Sequence, residues 1–291
     1  MNLGSIVTAM VTPFDDRGDL DVREAQRVAR FLVERGNDGL VVAGSTGEGM
    51  ALNDHERSEL FSAVKEAVGP TAAVWANIGT NETRGSVFAA QAAERLGVDA
   101  LLAVVPYYNK PTQNGMIAHF GAIAQATRLP VIIYNIPGRT AANMLPDTLA
   151  ELARRHTNIV GVKESSGDLK QIAMMLRDRA PGFAVYAGDD HLYLPCLAMG
   201  ADGIVGVASH LCSREFVGIQ RAVRDGRIGE AARIHASLLE LFDALFATTS
   251  PIPVKFAMRE FGFAVGECRQ PLDLMSDELA ERLRLILPRF R

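Results

Sequence analysis

One lysine of the sequence ends an apolar segment, which is an unusual place for a charged side chain. Lys163 follows Ile159-Val160-Gly161-Val162, and burying an ammonium group there is costly. Burial favours the neutral amine, which attacks carbonyl carbons and forms Schiff bases. The alternative is a lysine whose stem is buried and whose ammonium reaches water. The other four lysines occupy helical segments, a loop and the region of a helix start: Lys65, Lys170, Lys110 and Lys255. Lys163 is therefore the predicted nucleophile.

A second apolar segment carries a tyrosine near its end and is followed by an arginine. The phenol of Tyr134 could move protons to and from an amine and its adduct, although a packed tyrosine with a bonded hydroxyl explains the residue as well. Arg139 follows the Pro137-Gly138 turn. Its guanidinium suits a carboxylate, whereas an arginine in a loop is often only solvated.

The segment Gly44–Glu48 (GSTGE) lies between an apolar run and a helical one. Consecutive backbone N–H groups in such a turn can bind an anion, and the hydroxyls of Ser45 and Thr46 add two donors. A small carboxylate is the expected ligand. The simpler alternative is a strand-to-helix turn in which the two hydroxyls cap the helix.

Three further groups at the ends of apolar runs carry weaker signals. Tyr107-Tyr108 could anchor an interface, because aromatic residues are enriched there. Asp189-Asp190-His191 could ligate a metal, but the other histidines have no matching spacing. The small residues Gly203, Gly206 and Ser209 could form a phosphate cup. Each of the three is less specific than the lysine.

Eight apolar, β-branched runs recur along the chain with segments of helical period between them. Near-continuous apolar runs are typical of parallel strands buried on both faces, so the pattern predicts a (β/α)8 barrel, whose reacting residues sit at the carboxyl ends of the strands. A doubly wound sheet is the alternative, but no glycine-rich dinucleotide turn follows the first run. The runs are Ser5–Phe14, Gly39–Gly44, Ala72–Gly79, Ala100–Pro106, Pro130–Pro137, Ile159–Ser166, Phe183–Asp189 and Gly203–Ser209.

The helical segments suggest how the rest of the chain is organised. We expect residues 1–212 to form the barrel, and residues 213–291 to form helices that pack on it. Asp54 is the expected N-cap of the second helix. The helices read from the sequence are Val22–Arg35, Asp54–Val68, Arg214–Arg224, Ile228–Ala247, Val254–Phe261 and Asp277–Leu287.

Composition narrows the class of protein. Of the 291 residues, 48% are hydrophobic and 22% charged, and the net charge of −4 is spread without a basic block, which argues against a nucleic-acid partner. No apolar run approaches the ~18 residues of a membrane span, and the N-terminus lacks the pattern of a signal peptide. The three scattered cysteines form neither a disulfide framework nor a zinc site. A soluble, cytoplasmic protein is expected.

Four of these segments together resemble one enzyme family. The sequences GSTGE (Gly44–Glu48), PYYNKP (Pro106–Pro111), YNIPGRT (Tyr134–Thr140) and GVKESS (Gly161–Ser166) are similar to the motifs of the dihydrodipicolinate synthase/N-acetylneuraminate lyase family. The resemblance runs nearly from end to end, from Val7–Phe14 to Pro251–Lys255 and Gly266–Leu272.

The resemblance implies a pyruvate-dependent Schiff-base aldolase, usually a homotetramer built as a dimer of dimers. By it, Lys163 forms the imine and Tyr134 transfers protons. Ser45 and Thr46 hold the pyruvate carboxylate, and Val205 supplies a backbone contact to pyruvate. Ser45 also links Tyr134 to Tyr108, which comes from the adjacent subunit. Because the imine serves as the electron sink, neither a metal nor an organic cofactor is expected.

Arg139 distinguishes the subtypes within the family. The synthases carry an arginine at this position for the carboxylate of aspartate semialdehyde, and the sialic acid lyases tend to lack it. Ser45 departs from the usual Thr-Thr pair of the synthases but retains the hydroxyl. We therefore expect condensation of pyruvate with aspartate-4-semialdehyde, giving 4-hydroxy-tetrahydrodipicolinate for lysine and diaminopimelate synthesis. The alternatives are a pyruvate aldolase or lyase for a sugar acid, a non-catalytic barrel that binds an oxo acid, and a metal-dependent aldolase.

The resemblance also bears on feedback inhibition by lysine. Lysine-sensitive relatives carry histidines and a glutamate at positions that match Asp54, Arg57 and Gly85 here. Arg57 would repel a cationic ligand and Gly85 offers no carboxylate, although Asn81 and Tyr107 are retained. We therefore expect weak inhibition by lysine or none.

Overall fold

The computed structural model describes residues 3–291. Across these residues eight parallel strands follow one another in chain order and close into a barrel, so the predicted fold class is confirmed. Each strand lies inside one of the eight apolar runs. The strands are β1 (Ile6–Ala9), β2 (Gly39–Val42), β3 (Ala73–Asn77), β4 (Ala100–Val104), β5 (Val131–Asn135), β6 (Ile159–Glu164), β7 (Ala184–Ala187) and β8 (Gly203–Gly206).

Helices separate the strands and continue after the last one. Short 3₁₀ turns occupy Gly49–Ala51, Asp190–Leu192 and Leu287–Phe290. The α-helices of residues 3–291 are α1 (Val22–Glu34), α2 (Asp54–Val68), α3 (Thr83–Arg95), α4 (Gln113–Gln125), α5 (Pro137–Thr140), α6 (Pro146–Arg155), α7 (Leu169–Asp178), α8 (Tyr193–Ala198), α9 (Ser209–Arg224), α10 (Ile228–Leu245), α11 (Ile252–Glu260) and α12 (Asp277–Ile286). Within this part of the chain, none is long and apolar enough to cross a membrane.

Two details of the helices differ from the sequence predictions. Asp54 was expected to cap α2, but the cap is Asn53, because its side chain accepts from the Glu56 N–H while the Glu56 side chain accepts from the Asn53 N–H. This reciprocal capping box satisfies two N–H groups at once. Helix α9 begins at Ser209 rather than Arg214, with a kink at Cys212, and the remaining ends shift by at most two residues.

The described residues fall into two compact units. The first consists of the chain up to Val74 together with Gly206–Arg291. In it, β1 and β2 pair in parallel, and α9 packs against β1 and α10. The Arg35 guanidinium donates to the carbonyls of Leu211 and Phe290 at 3.2 and 2.7 Å. The C-terminal helices thus share a unit with the first two strands.

The second unit, Trp75–Val205, contains the strand ends that carry most of the predicted site. Its strands pair in sequence order, and the register between β5 and β6 places Tyr134 beside Lys163 and Asn135 beside Glu164. Strand β7 follows, with Tyr186 beside Lys163. Because successive side chains of a strand point to opposite faces, the pair Tyr134 and Lys163 lies on one face of β5 and β6, and the pair Asn135 and Glu164 lies on the other.

Candidate active site

Lys163 and Tyr134 form a close pair at the carboxyl ends of β6 and β5. Their exposed fractions are 5% and 6%, and the Lys163 Nζ lies 4.1 Å from the centre of the Tyr134 ring. An aromatic face stabilises a cation placed over it. The arrangement therefore suits an amine that becomes a cationic iminium, with a phenol on the neighbouring strand.

The second pair of neighbours, Asn135 and Glu164, forms a buried polar network. The Asn135 amide donates to both Glu164 carboxylate oxygens, at 2.9 and 3.2 Å. The Ser166 N–H and the Gln171 amide also donate to this carboxylate, at 2.6 and 3.3 Å. Burial raises the pKa of Glu164, and these hydrogen bonds oppose that rise. The network thus holds Glu164, the residue directly after Lys163 on β6, in place. The sequence analysis did not suggest this role for Asn135 and Glu164.

The same network holds the loop that carries Arg139. The Asn135 side-chain oxygen Oδ1 accepts from the Met144 N–H at 3.0 Å, and the Asn135 side-chain Nδ2 donates to Asn143 Oδ1 at 2.8 Å. The Thr140 hydroxyl donates to the Ile136 carbonyl at 3.0 Å. Arg139 lies on α5, exposed. An exposed guanidinium on this hydrogen-bonded segment suits recognition of an anionic group that arrives from solvent.

Tyr108 lies in the loop after β4 and is 87% exposed. Its backbone adopts the left-handed region, with φ of 71°, which is rare for a bulky residue. The neighbouring Asn109 side chain donates to the Asn81 carbonyl at 2.7 Å. Such conformations persist only where surrounding contacts impose them, and they cluster at functional sites.

The remaining predicted residues of the second unit have clear positions. Val205 is buried on β8. The Asp189 side chain accepts from the His191 N–H at 2.9 Å and so caps a 3₁₀ turn, while Asp190 is buried. Among residues 3–291 no group of three or more histidine, cysteine, aspartate or glutamate side chains is arranged to hold a metal ion.

Ser209, considered above as part of a phosphate cup, belongs to a buried hydrogen-bond network of the first unit. Its hydroxyl accepts from the Thr8 hydroxyl at 2.6 Å, and its carbonyl accepts from the Asn37 amide at 3.4 Å. The residue is fully buried. These contacts give Ser209 a structural role.

The GSTGE segment forms a closed turn in the first unit. The Glu48 N–H donates to the Ser45 carbonyl at 3.1 Å, and the Gly49 N–H donates to the Gly44 carbonyl at 3.0 Å. Ser45 is half-buried and Thr46 is buried. Two internal hydrogen bonds thus close the backbone that carries Ser45 and Thr46.

An ion pair that the sequence analysis missed lies directly behind this turn. The Lys255 Nζ is 2.8 Å from the Glu48 Oε1, and both side chains are almost fully buried. Lys255 is therefore even less exposed than Lys163. In the sequence, Glu48 stood out only as the last residue of GSTGE, and Lys255 only as part of the family-like segment Pro251–Lys255. Neither segment reveals a contact between residues that lie 207 positions apart.

Comparison with known proteins agrees with the motifs over almost the whole chain. A relative from Moorella thermoacetica, named 4-hydroxy-tetrahydrodipicolinate synthase, is 48% identical over 287 residues, covering 99% of this chain and 98% of its own. A relative of the same name from Desulforudis audaxviator is 46% identical over 287 residues, with coverage of 99% and 97%.

Solved structures and the family model lead to the same result. The crystal structure of DHDPS from Cyanidioschyzon merolae with lysine bound superposes with a TM-score of 0.96 at 44% identity, over 97% of this chain and 96% of that one. The model of the "Dihydrodipicolinate synthetase family" matches residues 2–289. The chain therefore belongs to the dihydrodipicolinate synthetase family.

Proposed function

We propose that this enzyme condenses pyruvate with L-aspartate-4-semialdehyde to give 4-hydroxy-tetrahydrodipicolinate, as a class I aldolase. The observation that carries the proposal is the buried Lys163 with its Nζ over the ring of Tyr134. Full-length similarity to relatives named for this activity supports the choice of substrates.

The reaction would begin at the Lys163 amine. Its Nζ attacks C2 of pyruvate, and the resulting carbinolamine loses water to form the imine. The cationic imine then withdraws electrons from the adjacent methyl group, which loses a proton and leaves an enamine. Tyr134, whose ring centre lies 4.1 Å from the Lys163 Nζ, is the proposed proton acceptor and donor in these steps through its hydroxyl.

Carbon–carbon bond formation and ring closure complete the reaction. The enamine carbon attacks the aldehyde carbon of the semialdehyde, whose oxygen takes up a proton to become the hydroxyl group. The amino group of the semialdehyde then attacks the imine carbon and displaces Lys163 as the free amine. The imine supplies the electron sink throughout, so the proposal involves neither a metal nor an organic cofactor.

The carboxylates of the two substrates would be bound by different residues. We assign the pyruvate carboxylate to Ser45 and Thr46, in keeping with the compact turn around them, and a backbone contact to pyruvate to Val205. The carboxylate of the semialdehyde is assigned to Arg139, whose guanidinium offers two parallel donors. A lyase that splits a sugar acid into pyruvate and a neutral sugar aldehyde has no second carboxylate for this arginine to bind.

The proposed assembly is a homotetramer, a dimer of dimers, in which Tyr108 completes the site of an adjacent subunit through Ser45 and Tyr134. The exposure and left-handed backbone of Tyr108 support this role. We further propose a cytoplasmic location, because the sequence has three scattered cysteines and no CxxC spacing, as expected in a reducing compartment.

Reductive trapping tests the chemistry at its first intermediate. Borohydride added with pyruvate should attach one three-carbon unit irreversibly to Lys163, and peptide mass mapping would locate it. A Lys163→Arg variant is the control and should take up no label. Label on Lys255 instead, or no label on the wild type, would refute the mechanism.

A substrate panel tests the choice of aldehyde. With pyruvate present, purified enzyme should consume aspartate-4-semialdehyde far faster than sugar-derived aldehydes, and a chelator should leave the rate unchanged. Preferential turnover of a sugar acid would favour the lyase alternative, and trapping without turnover of any aldehyde would favour a non-catalytic binding protein.

A further inference from the structure

Glu48 ends the GSTGE turn, and its carboxylate is held from two sides. The Lys255 Nζ donates to Oε1 at 2.8 Å, and the Arg269 backbone N–H donates to Oε2 at 2.7 Å. Lys255 also donates to the Glu267 carbonyl at 2.8 Å and lies 4.4 Å from the centre of the Phe14 ring. The turn is thus tied to α11 and to the segment after it.

The backbone of the turn requires such support. Glu48 adopts the left-handed region, with φ of 50° and ψ of 34°, a conformation that is unfavourable for residues with a Cβ. The space is also tight, because a Cβ at Gly49 would lie 1.9 Å from the Ala43 carbonyl oxygen. In this conformation the Glu48 N–H closes the turn onto the Ser45 carbonyl.

The ion pair is therefore placed to control the shape of the loop that presents Ser45 and Thr46. We propose that Glu48 and Lys255 are positioning residues, which hold the GSTGE turn in the conformation that receives the carboxylate of pyruvate. This inference rests on the proposed function, because it assumes that the turn binds that carboxylate.

Charge, and not only shape, matters to this role. Burial lowers the pKa of Lys255, and the carboxylate of Glu48 opposes that effect. Removing one partner of a buried pair leaves the other charge uncompensated, which is far more disruptive than removing both. The Lys255 amine is occupied by Glu48 and by the Glu267 carbonyl, so this second buried lysine acts through the turn and not on the substrate.

Steady-state kinetics can separate positioning from a purely structural role. The variants are Lys255→Met, Glu48→Gln and the double variant Glu48→Gln/Lys255→Met, which removes both charges and retains similar volume. The proposed reaction has two stages, formation of the imine with pyruvate and condensation of that imine with the semialdehyde. The kcat/KM for pyruvate reports the first stage, and the kcat/KM for the semialdehyde reports the second. We expect each single variant to lower kcat/KM for pyruvate at least tenfold, and the double variant to lower it by less, because it leaves no uncompensated charge. All three variants should leave kcat/KM for the semialdehyde within about threefold of the wild type.

Arg289→Met is the control, because Arg289 forms a surface ion pair with Glu240 at 3.0 Å in which both side chains are about half-exposed. It should leave both values unchanged. The pyruvate concentration that gives half-maximal borohydride labelling of Lys163 should rise in the three variants of Glu48 and Lys255 and should stay unchanged in the control.

The outcomes also distinguish the two proposals. Wild-type values of kcat/KM for the folded double variant would overturn the positioning role. Equal losses of kcat/KM for the two substrates, with a lower melting temperature as the only other change, would overturn it too. A wild-type enzyme that takes up no label from pyruvate would instead refute the proposed function, and the positioning role with it.

Discussion

Lys163 and Tyr134 are direct neighbours on adjacent parallel strands, and the amine of one lies 4.1 Å from the ring centre of the other. The ring alone can stabilise a cation at the amine, whereas only the hydroxyl can transfer a proton. A substitution that removes the hydroxyl and keeps the ring therefore separates the two contributions.

Tyr134→Phe should lower kcat by about 10²- to 10⁴-fold, the usual contribution of a positioned acid or base. The retained ring should keep Lys163 in place, so that prolonged incubation with pyruvate and borohydride still labels the lysine. Tyr186→Phe on the other neighbouring strand is the control. A kcat within threefold of wild type for Tyr134→Phe would remove the tyrosine from the proton transfers.

Arg139→Ala should weaken use of the semialdehyde much more than use of pyruvate. Loss of a charge-assisted contact to a carboxylate costs roughly 1.5–3 kcal/mol, or about a 10- to 150-fold fall in kcat/KM for the semialdehyde. Arg139→Lys should recover only part of the loss, because lysine lacks the planar fork. Arg128→Ala removes another exposed arginine and should change neither value. Unaltered kinetics with the semialdehyde would contradict the assignment.

Tyr108→Phe and Lys163→Ala chains should complement each other if Tyr108 serves a neighbouring subunit. Each variant alone should be nearly inactive. After mixing and reassembly, up to roughly a quarter of the wild-type sites should combine an intact lysine with an intact tyrosine, because a two-fold axis makes the exchange mutual. Confirmed mixed oligomers that stay inactive, with Tyr108→Phe impaired, would place the tyrosine within its own site.

Lysine should inhibit this enzyme weakly or not at all, even though the structure of the relative from Cyanidioschyzon merolae has lysine bound. Arg57 carries a positive charge, with its guanidinium donating to the Gly49 carbonyl at 2.5 Å, and Gly85 lies in α3 without a side chain. Arg57→His combined with Gly85→Glu should increase sensitivity to lysine. Strong inhibition of the wild type at sub-millimolar lysine would show the prediction to be wrong.

His210 should make the protein sensitive to acid. Its Nε2 accepts from the Val11 N–H at 3.1 Å and its Nδ1 lies 2.8 Å from the Val207 carbonyl, which fits a neutral ring protonated at Nδ1. Burial lowers its pKa from 6.5 to about 4. Because the unfolded chain then binds the proton more tightly, stability falls as the pH drops from 6.5 to about 4, by about 3 kcal/mol in total.

Denaturant unfolding at several pH values would check this contribution. His210→Gln replaces the imidazole with an amide that has a donor and an acceptor but does not titrate, so its free energy of unfolding should depend less steeply on pH between 4 and 6.5 than that of the wild type. Parallel curves for the two proteins would exclude His210 as the source. Comparing the two proteins cancels the effect of His119, whose pKa burial also lowers to about 4.

The amino-acid sequence by itself determined the strands and the position of Lys163. A strand buried on both faces requires an uninterrupted apolar run, and a lysine at the end of such a run is visible without knowledge of any partner. The same holds for Tyr134, because both residues are defined by their local place in a repeating pattern. The order of strands followed from the alternation of runs and helices.

Only the tertiary structure decided which side chains meet. Asn135 and Glu164 are 29 positions apart and contact each other because of the register between β5 and β6, which a shift of one residue would reverse. Glu48 and Lys255 are 207 positions apart. No local periodicity encodes such a contact, because burial of opposite charges depends on two distant segments packing together. Even the cap of α2 was decided by geometry, since Asn53 and Asp54 are both good capping residues and only Asn53 reaches the Glu56 N–H.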